Sequence, residues 1–432
     1  MASLSFNRLF PMRPFKKMPG AIKLLPALFL PFLLIIVLPT PIASAVEPIK
    51  IGLLGPPPNE AESGFKPYLW GAEIAAAEVN AKEGKQGIQF LLAIRRGGFS
   101  RERELKDLRE FMVEERIHFL LGHVGQESIL PIARTVQDQK IPFLVFPVDF
   151  LEGGSSGREP PNLFWFSPSP EAFQRAAVRT VAQFSENRFF LLARGSASGR
   201  GLAKYFWETL RRLKPEAVSA GELFLSDQET NYEASVQAIL SSRAEVCLSH
   251  LGGKEWIRFS KTAKPKNYFK KIVHFELESA HQEILAALQK EGPEGVWGIN
   301  TFPFWFLEGR ETQDFVNKYR SKTGRYPGIN ALSGYGSVYA LLETMKKAAS
   351  FESAKVMEAL GGLSFPTPVG ALNIRKTDRR ALWPIWCGVS KIVSNYPFPI
   401  LKELKALGPD SFLPPTGQAE TLADTPSKET AK

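Results

Sequence analysis

The chain has 432 residues, 44% of them hydrophobic and 11% aromatic, enough for two ordinary domains with real cores and incompatible with a wholly disordered protein. Its formal charge of +10 is partly the property of one short segment. The first 45 residues carry five basic and no acidic residues, and removing them from the 54 Lys and Arg leaves 49 against 44 Asp and Glu, an excess of five. That is not the clustered basic face that nucleic acid requires, and no nucleic-acid partner is expected.

In chain order, Arg8, Arg13, Lys16, Lys17 and Lys23 precede the apolar run 24–38, and Ala43-Ser44-Ala45 supplies the small residues of a signal-peptidase site. The pattern predicts a signal peptide over residues 1–45, cleaved after Ala45, and an extracytoplasmic mature chain. An uncleaved anchor is the alternative, but Pro26, Pro31, Pro39 and Pro41 interrupt a run already short for a bilayer about 30 Å thick.

Short apolar runs then alternate with segments of helical period. Residues 49–54 read as a strand. Leu69, Ala72, Ala76 and Val79 share one helical face that Gly84 ends. A strand at 88–94 is followed by a helix that Ser100 caps, with Leu105, Leu108 and Met112 inward, and by a strand at 119–121. The stretch "LLGHVGQESILPIARTVQDQKIPFLVFPVDF" (120–150) adds a helix and another strand. This βαβαβα order implies a parallel sheet covered by helices on both faces.

Beyond a surface loop at 153–162 the alternation restarts. Strands are expected at 189–193, 222–225, 245–248, 272–275 and 295–299, and helices at 199–213, 231–240, 253–262 and 281–289. Helices at 311–322, 333–349 and 353–360 follow, then edge strands at 369–374 and 382–389. Beyond about Leu407 the sequence turns to Pro, Thr, Lys and Glu without periodicity, and the tail reads as disordered.

The runs "IKIGLLGP" (49–56), "GAEIAAAEVNAKEG" (71–84), "GHVGQESILPIA" (122–133) with "IPFLVFP" (141–147), "SGRGLAKYF" (198–206), and "GYGSVYALLETMKKA" (334–348) with "TPVGALNI" (367–374) occur in that order. Together they resemble the branched-chain-amino-acid-binding (Leu/Ile/Val-binding) type of periplasmic solute-binding protein that serves ABC importers. The resemblance implies the type I periplasmic-binding-protein architecture, an α/β fold of two Rossmann-like lobes joined by three crossover segments. Lobe one is then residues 46–166 plus 301–363, lobe two 167–300 plus 364–400, and 401–432 a largely disordered tail. It also implies a monomer that binds a small-molecule ligand and meets an ABC permease in the membrane, with no cofactor.

Ligands of open α/β sheets sit outside the carboxyl ends of the strands, at helix N-termini. The resemblance places Gln126, with Glu127 and Ser128 behind it, where the family offers a hydroxyl to a ligand carboxylate. Val148, Asp149 and Phe150 replace the family's small Ala/Thr segment. On lobe two, Arg194 stands where the family has an acid and Glu276 keeps the acid that meets an ammonium, with His250 on the loop between them. Each has a plainer reading: Arg194 as a rim ion pair, Glu276 as a solvated loop carboxylate, Asp149 as a loop cap. Trp305 and Phe306, in "NTFPFWFLEG" (300–309), either stack on a ligand or belong to interlobe core. The lost hydroxyls and the added cation predict a ligand other than leucine: an amide, an aromatic acid or another small polar solute.

An enzyme is not expected. "GSASG" (195–199) has Ala197 where a nucleophile elbow needs serine, and no P-loop or Ser/His/acid set stands out. A sensing module for a membrane receptor, or a scaffold that has lost ligand binding, are the alternatives within the same fold. Cys247 and Cys387 sit in apolar strand-like runs and read as two buried thiols, with a disulfide as the other option. The five histidines match no metal-ligand spacing.

Overall fold

A computed structural model describes residues 47–58, 62–148, 159–226 and 229–408. The expected signal peptide and cleavage site lie outside the described residues, as does the expected tail beyond residue 408. No described helix is long and apolar enough to cross a membrane.

The first sheet is built by β1 (Ile49–Gly55), α1 (Glu62–Glu83), β2 (Phe90–Arg96), α2 (Glu102–Glu115), β3 (Phe119–Gly122), α3 (Gln126–Gln137), β4 (Phe143–Val145) and β5 (Leu163–Trp165). Its strands are all parallel, in the order β2-β1-β3-β4-β5. The strands β3, β4 and β5 are buried along their whole length, which is why they read as unbroken apolar runs. The α2 boundary differs from expectation. Arg101, not Ser100, precedes the helix, and the Glu104 carboxylate accepts the Arg101 backbone N–H at 3.3 Å, so a residue inside the first turn does the capping.

The second sheet begins after α4 (Pro170–Val181) and contains β6 (Arg188–Arg194), α5 (Ala197–Leu213), β7 (Val218–Leu225), α6 (Glu233–Ser241), β8 (Val246–His250), α7 (Gly253–Ala263), α8 (Tyr268–Lys271), β9 (Val273–Glu276), α9 (Gln282–Leu288) and β10 (Val296–Asn300). The parallel part runs β7-β6-β8-β9-β10, the same reversal of strand order as in the first sheet. Two Rossmann-like lobes result.

The chain then returns to lobe one as α10 (Arg310–Thr323), α11 (Ile329–Ala348) and α12 (Ser353–Leu360). It continues as β11 (Ser364–Thr367), β12 (Gly370–Ile374), β13 (Ala381–Leu382), β14 (Ile385–Lys391) and β15 (Ile400–Leu407). Here two expected boundaries move. Strands β11, β12 and β13 form a small antiparallel sheet against β5 of lobe one. Trp165 N–H donates to the Arg379 carbonyl at 2.9 Å, and Arg379 Nε to the Leu163 carbonyl at 3.0 Å. An uncovered edge strand is a template for aggregation, and this turn covers β5. Lobe two therefore regains the chain at β14, not at residue 364. The second correction is that 401–407 is no tail: β15 pairs antiparallel with β14 and closes the edge of the second sheet. Its alternation of Lys and Glu with Leu and Ala is a half-buried edge strand, easily mistaken for a polar tail.

Candidate functional site

In each sheet the order reverses around a central strand, β1 beside β3 and β6 beside β8, and the loops at their carboxyl ends are where such folds receive ligands. In lobe one these loops are tied together by backbone. Phe146 N–H donates to the Gly122 carbonyl at 2.8 Å and Val148 N–H to the Val124 carbonyl at 3.0 Å. His123 completes the tie, with Nδ1 at 2.9 Å from the Phe146 carbonyl and its ring stacked on Tyr68 at 5.3 Å. Burial outweighs that hydrogen bond and lowers the His123 imidazole to about 4, so the ring is neutral near pH 7. A neutral ring facing a carbonyl carries its proton on Nδ1, which leaves Nε2 as a buried acceptor with no protein partner.

Gln126 opens α3 behind Gly125, and its Oε1 is buried with no hydrogen-bond donor. Glu127 in the same first turn is exposed. Ser128 is fully buried, and its hydroxyl donates to the Gly98 carbonyl on the loop after β2. That bond engages the Ser128 hydroxyl, expected behind Gln126 at the ligand, within the protein. Val148 is half-buried, and Asp149 and Phe150 lie outside the described residues.

In lobe two, the registers Ala193 to His250 and Ser249 to Glu276 bring the ends of β6, β8 and β9 to one level, with half-buried Arg194 beside them. Glu276 is fully buried. Leu251 N–H lies 3.2 Å from each of its oxygens, Gly252 N–H lies 3.3 Å from Oε1, and the Ser249 hydroxyl donates to Oε2. Burial, only partly offset by His250 and Ser249, pushes this carboxyl above the usual range. The carboxylate expected to meet an ammonium thus fastens the β8–α7 loop.

A second acid does stand at the edge. Burial alone would push the Glu278 carboxyl up, but a hydrogen bond from His250, the His281 and His250 charges and the Gly253 N–H together hold it at about 2. Its oxygens lie 3.5 Å from His250 Nε2 and 4.0 Å from His281 Nδ1, and the side chain is 20% exposed. Sequence reading misses Glu278 and His123. The signal for each is local, an acid two residues beyond Glu276 and a histidine inside the loop that carries Gln126. Trp305 is half-buried and packs against the core, its indole donating to the Leu401 carbonyl at 3.0 Å, whereas Phe306 is exposed. Among the described residues no group of three His, Cys, Asp or Glu is arranged to hold a metal ion.

The family model described as "Periplasmic binding protein" matches residues 48–390. The chain belongs to the periplasmic binding protein family. This periplasmic binding protein is 22% identical over 335 residues to the leucine-, isoleucine-, valine-, threonine- and alanine-binding protein of Pseudomonas aeruginosa, covering 76% of this chain and 86% of that one. Its fold matches a branched-chain amino acid ABC transporter protein of Rhodopseudomonas palustris at TM-score 0.67 and 19% identity, over 85% of this chain and 99% of the other. It also matches an ABC transporter solute-binding protein from R. palustris in complex with 4-hydroxybenzoate, at TM-score 0.69 and 16% identity, over 84% and 97%. The extracytoplasmic type I fold is thereby the fold of this binding protein, and the family is one of binders.

Proposed function

We propose that this protein captures a small polar solute, amino-acid-like, an amide or an aromatic acid, in the cleft between its lobes and presents it to the membrane permease of an ABC importer. It acts as a monomer secreted through a cleaved signal peptide, with no cofactor and no catalytic turnover. The observation that carries the reading is the buried, unpartnered Gln126 Oε1 at the N-terminus of α3, beside the β3 and β4 loop ends. An acceptor left unsatisfied there costs about 1–3 kcal/mol, which a ligand N–H or O–H recovers. The helix N-terminus adjoining it favours a carboxylate or carbonyl on the same ligand. Across the cleft, Glu278 supplies a charged acid and Arg194 a cation. The two lobes close around the solute because it binds the closed form better than the open one.

The test is a thermal-shift screen of residues 46–408 against amino acids, amides and aromatic acids. The ligands named for the P. aeruginosa relative and the 4-hydroxybenzoate of the R. palustris structure are the starting points. Ligand at a thousandfold excess over its dissociation constant stabilises the native state by about 4 kcal/mol. A shift confined to one chemical class, with compaction in small-angle scattering, supports the reading. Silence across the library would select the scaffold alternative, which draws on Ser128 and Glu276 already being bonded within the protein.

A further inference from the structure

A cavity of about 680 Å³ lies apart from the strand ends, between α9 of lobe two and the α10–α11 turn of lobe one. None of the cleft residues Gln126, Val148, Arg194, His250 or Glu278 lines it. Its aromatic wall is fixed from behind. Tyr326 stacks on Phe304 at 5.2 Å with the rings 10° apart, stands at 90° to Phe398 at 5.4 Å, and carries the Arg320 guanidinium 4.4 Å above its ring. A wall held this way is already in place when a ligand arrives, which keeps the ordering cost of binding low.

The polar groups are few and come from both lobes. Gln282 is only 6% exposed, and its Oε1 is buried with no hydrogen-bond partner. Glu283 Oε1 accepts from Asn330 Nδ2 at 3.0 Å, which fixes the carboxylate at the wall. Exposed Arg325, from lobe one, also lines the cavity and makes no ion pair with a described residue. Burial raises the Tyr319 hydroxyl, and the Glu283 and Arg325 charges act on it with opposite sign, so both charges lie near this one lining residue. A buried acceptor, an anion, a cation and an aromatic wall together describe a zwitterion with a ring. Sites of roughly 300–1,000 Å³ suit ligands larger than one amino acid.

We propose that this cavity is a second ligand site, separate from the cleft, for a dipeptide-sized zwitterion bearing an aromatic side chain. The ammonium donates to Gln282 Oε1 and Glu283, the carboxylate meets Arg325, and the ring lies against Tyr326 and Phe398. Because the walls come from both lobes, occupancy is linked to the position of one lobe against the other.

The test is calorimetric titration of the mature chain with phenylalanyl-glycine, and with phenethylamine as the probe lacking the carboxylate. Ala286 lines the cavity on the exposed side of α9, so Ala286→Trp fills the space without entering the core. The expected result is a single site for the dipeptide that is lost in Ala286→Trp, weakened at least tenfold in Arg325→Gln, and retained in the cleft variant Gln126→Leu, with phenethylamine binding more weakly than the dipeptide. Absence of binding, binding indifferent to Ala286→Trp, or loss in Gln126→Leu would each overturn the proposal. The last result would place the dipeptide in the cleft and leave the proposed function standing.

Discussion

His250 Nε2 lies 3.5 Å from Glu278 Oε1, and this contact at the mouth of lobe two has a consequence for acid stability. The Glu278 carboxyl falls from an ordinary 4.5 to about 2 in the folded protein. Between those values the unfolded chain binds a proton that the native one does not, so stability falls as pH falls through this window and is complete above it. Glu276 has the opposite sign, since its raised carboxyl favours the native state at low pH and loses that contribution as pH rises through its folded value. Comparing wild type with Glu278→Gln isolates the first effect. Denaturant unfolding from pH 6 to pH 2 is expected to lose on the order of 1–3 kcal/mol more in wild type than in Glu278→Gln. Parallel curves would refute the assignment.

Gln126→Leu separates a ligand contact from a structural one. The leucine fills similar space and removes an acceptor that nothing in the protein satisfies. Stability should hold or rise, because burying an unpaired polar group is unfavourable. Affinity for the cleft solute should drop at least tenfold, which is about 1.4 kcal/mol. A variant that melts earlier yet binds normally would mean that Gln126 serves the fold.

The alternation of apolar runs and helical segments marks nearly every parallel strand and its helix, because buried parallel strands are continuously apolar. Sequence does not mark β5, only three residues long between a loop and a crossover, or its cover by residues 364–382. The α4 helix is absent from the sequence expectation, although Ser169, whose side chain accepts from Ala172 N–H, and Pro170 at the first turn mark its start. For the site, composition marks only the glycine-rich loop 122–128, and it is the resemblance that points within it to Gln126. What Ser128 and Glu276 do depends on Gly98, 30 residues away, and on Leu251, 25 residues away, and no local pattern encodes those partners.

The helices α1 and α11 meet backbone to backbone. A Cβ on Gly71 would lie 1.9 Å from the Ala331 carbonyl oxygen, and one on Gly334 would lie 1.9 Å from the Tyr68 carbonyl oxygen. In an exposed helix, Gly to Ala gains roughly 0.5–1 kcal/mol. Here the obstruction is main chain, so the helices must separate, and Gly71→Ala is expected to cost more than about 2 kcal/mol. Gly334→Ala should cost the same, and the double variant less than the sum, because one separation relieves both clashes. Additive losses in denaturant unfolding would argue against a shared contact.

The last prediction concerns the thiols. Cys247 on β8 and Cys387 on β14 are both free and buried, and β9 and β10 lie between their strands. Three strand spacings of about 4.8 Å put the two residues roughly 14 Å apart, whereas a disulfide needs Cα atoms within about 7 Å. Burial pushes each thiol up to about 12, so neither is a thiolate at pH 8. The protein should therefore react with no thiol reagent while folded and with two equivalents in denaturant, and its melting temperature should not change with reductant. A melting temperature lowered by reductant would require a bridge, and with it a different strand order in lobe two.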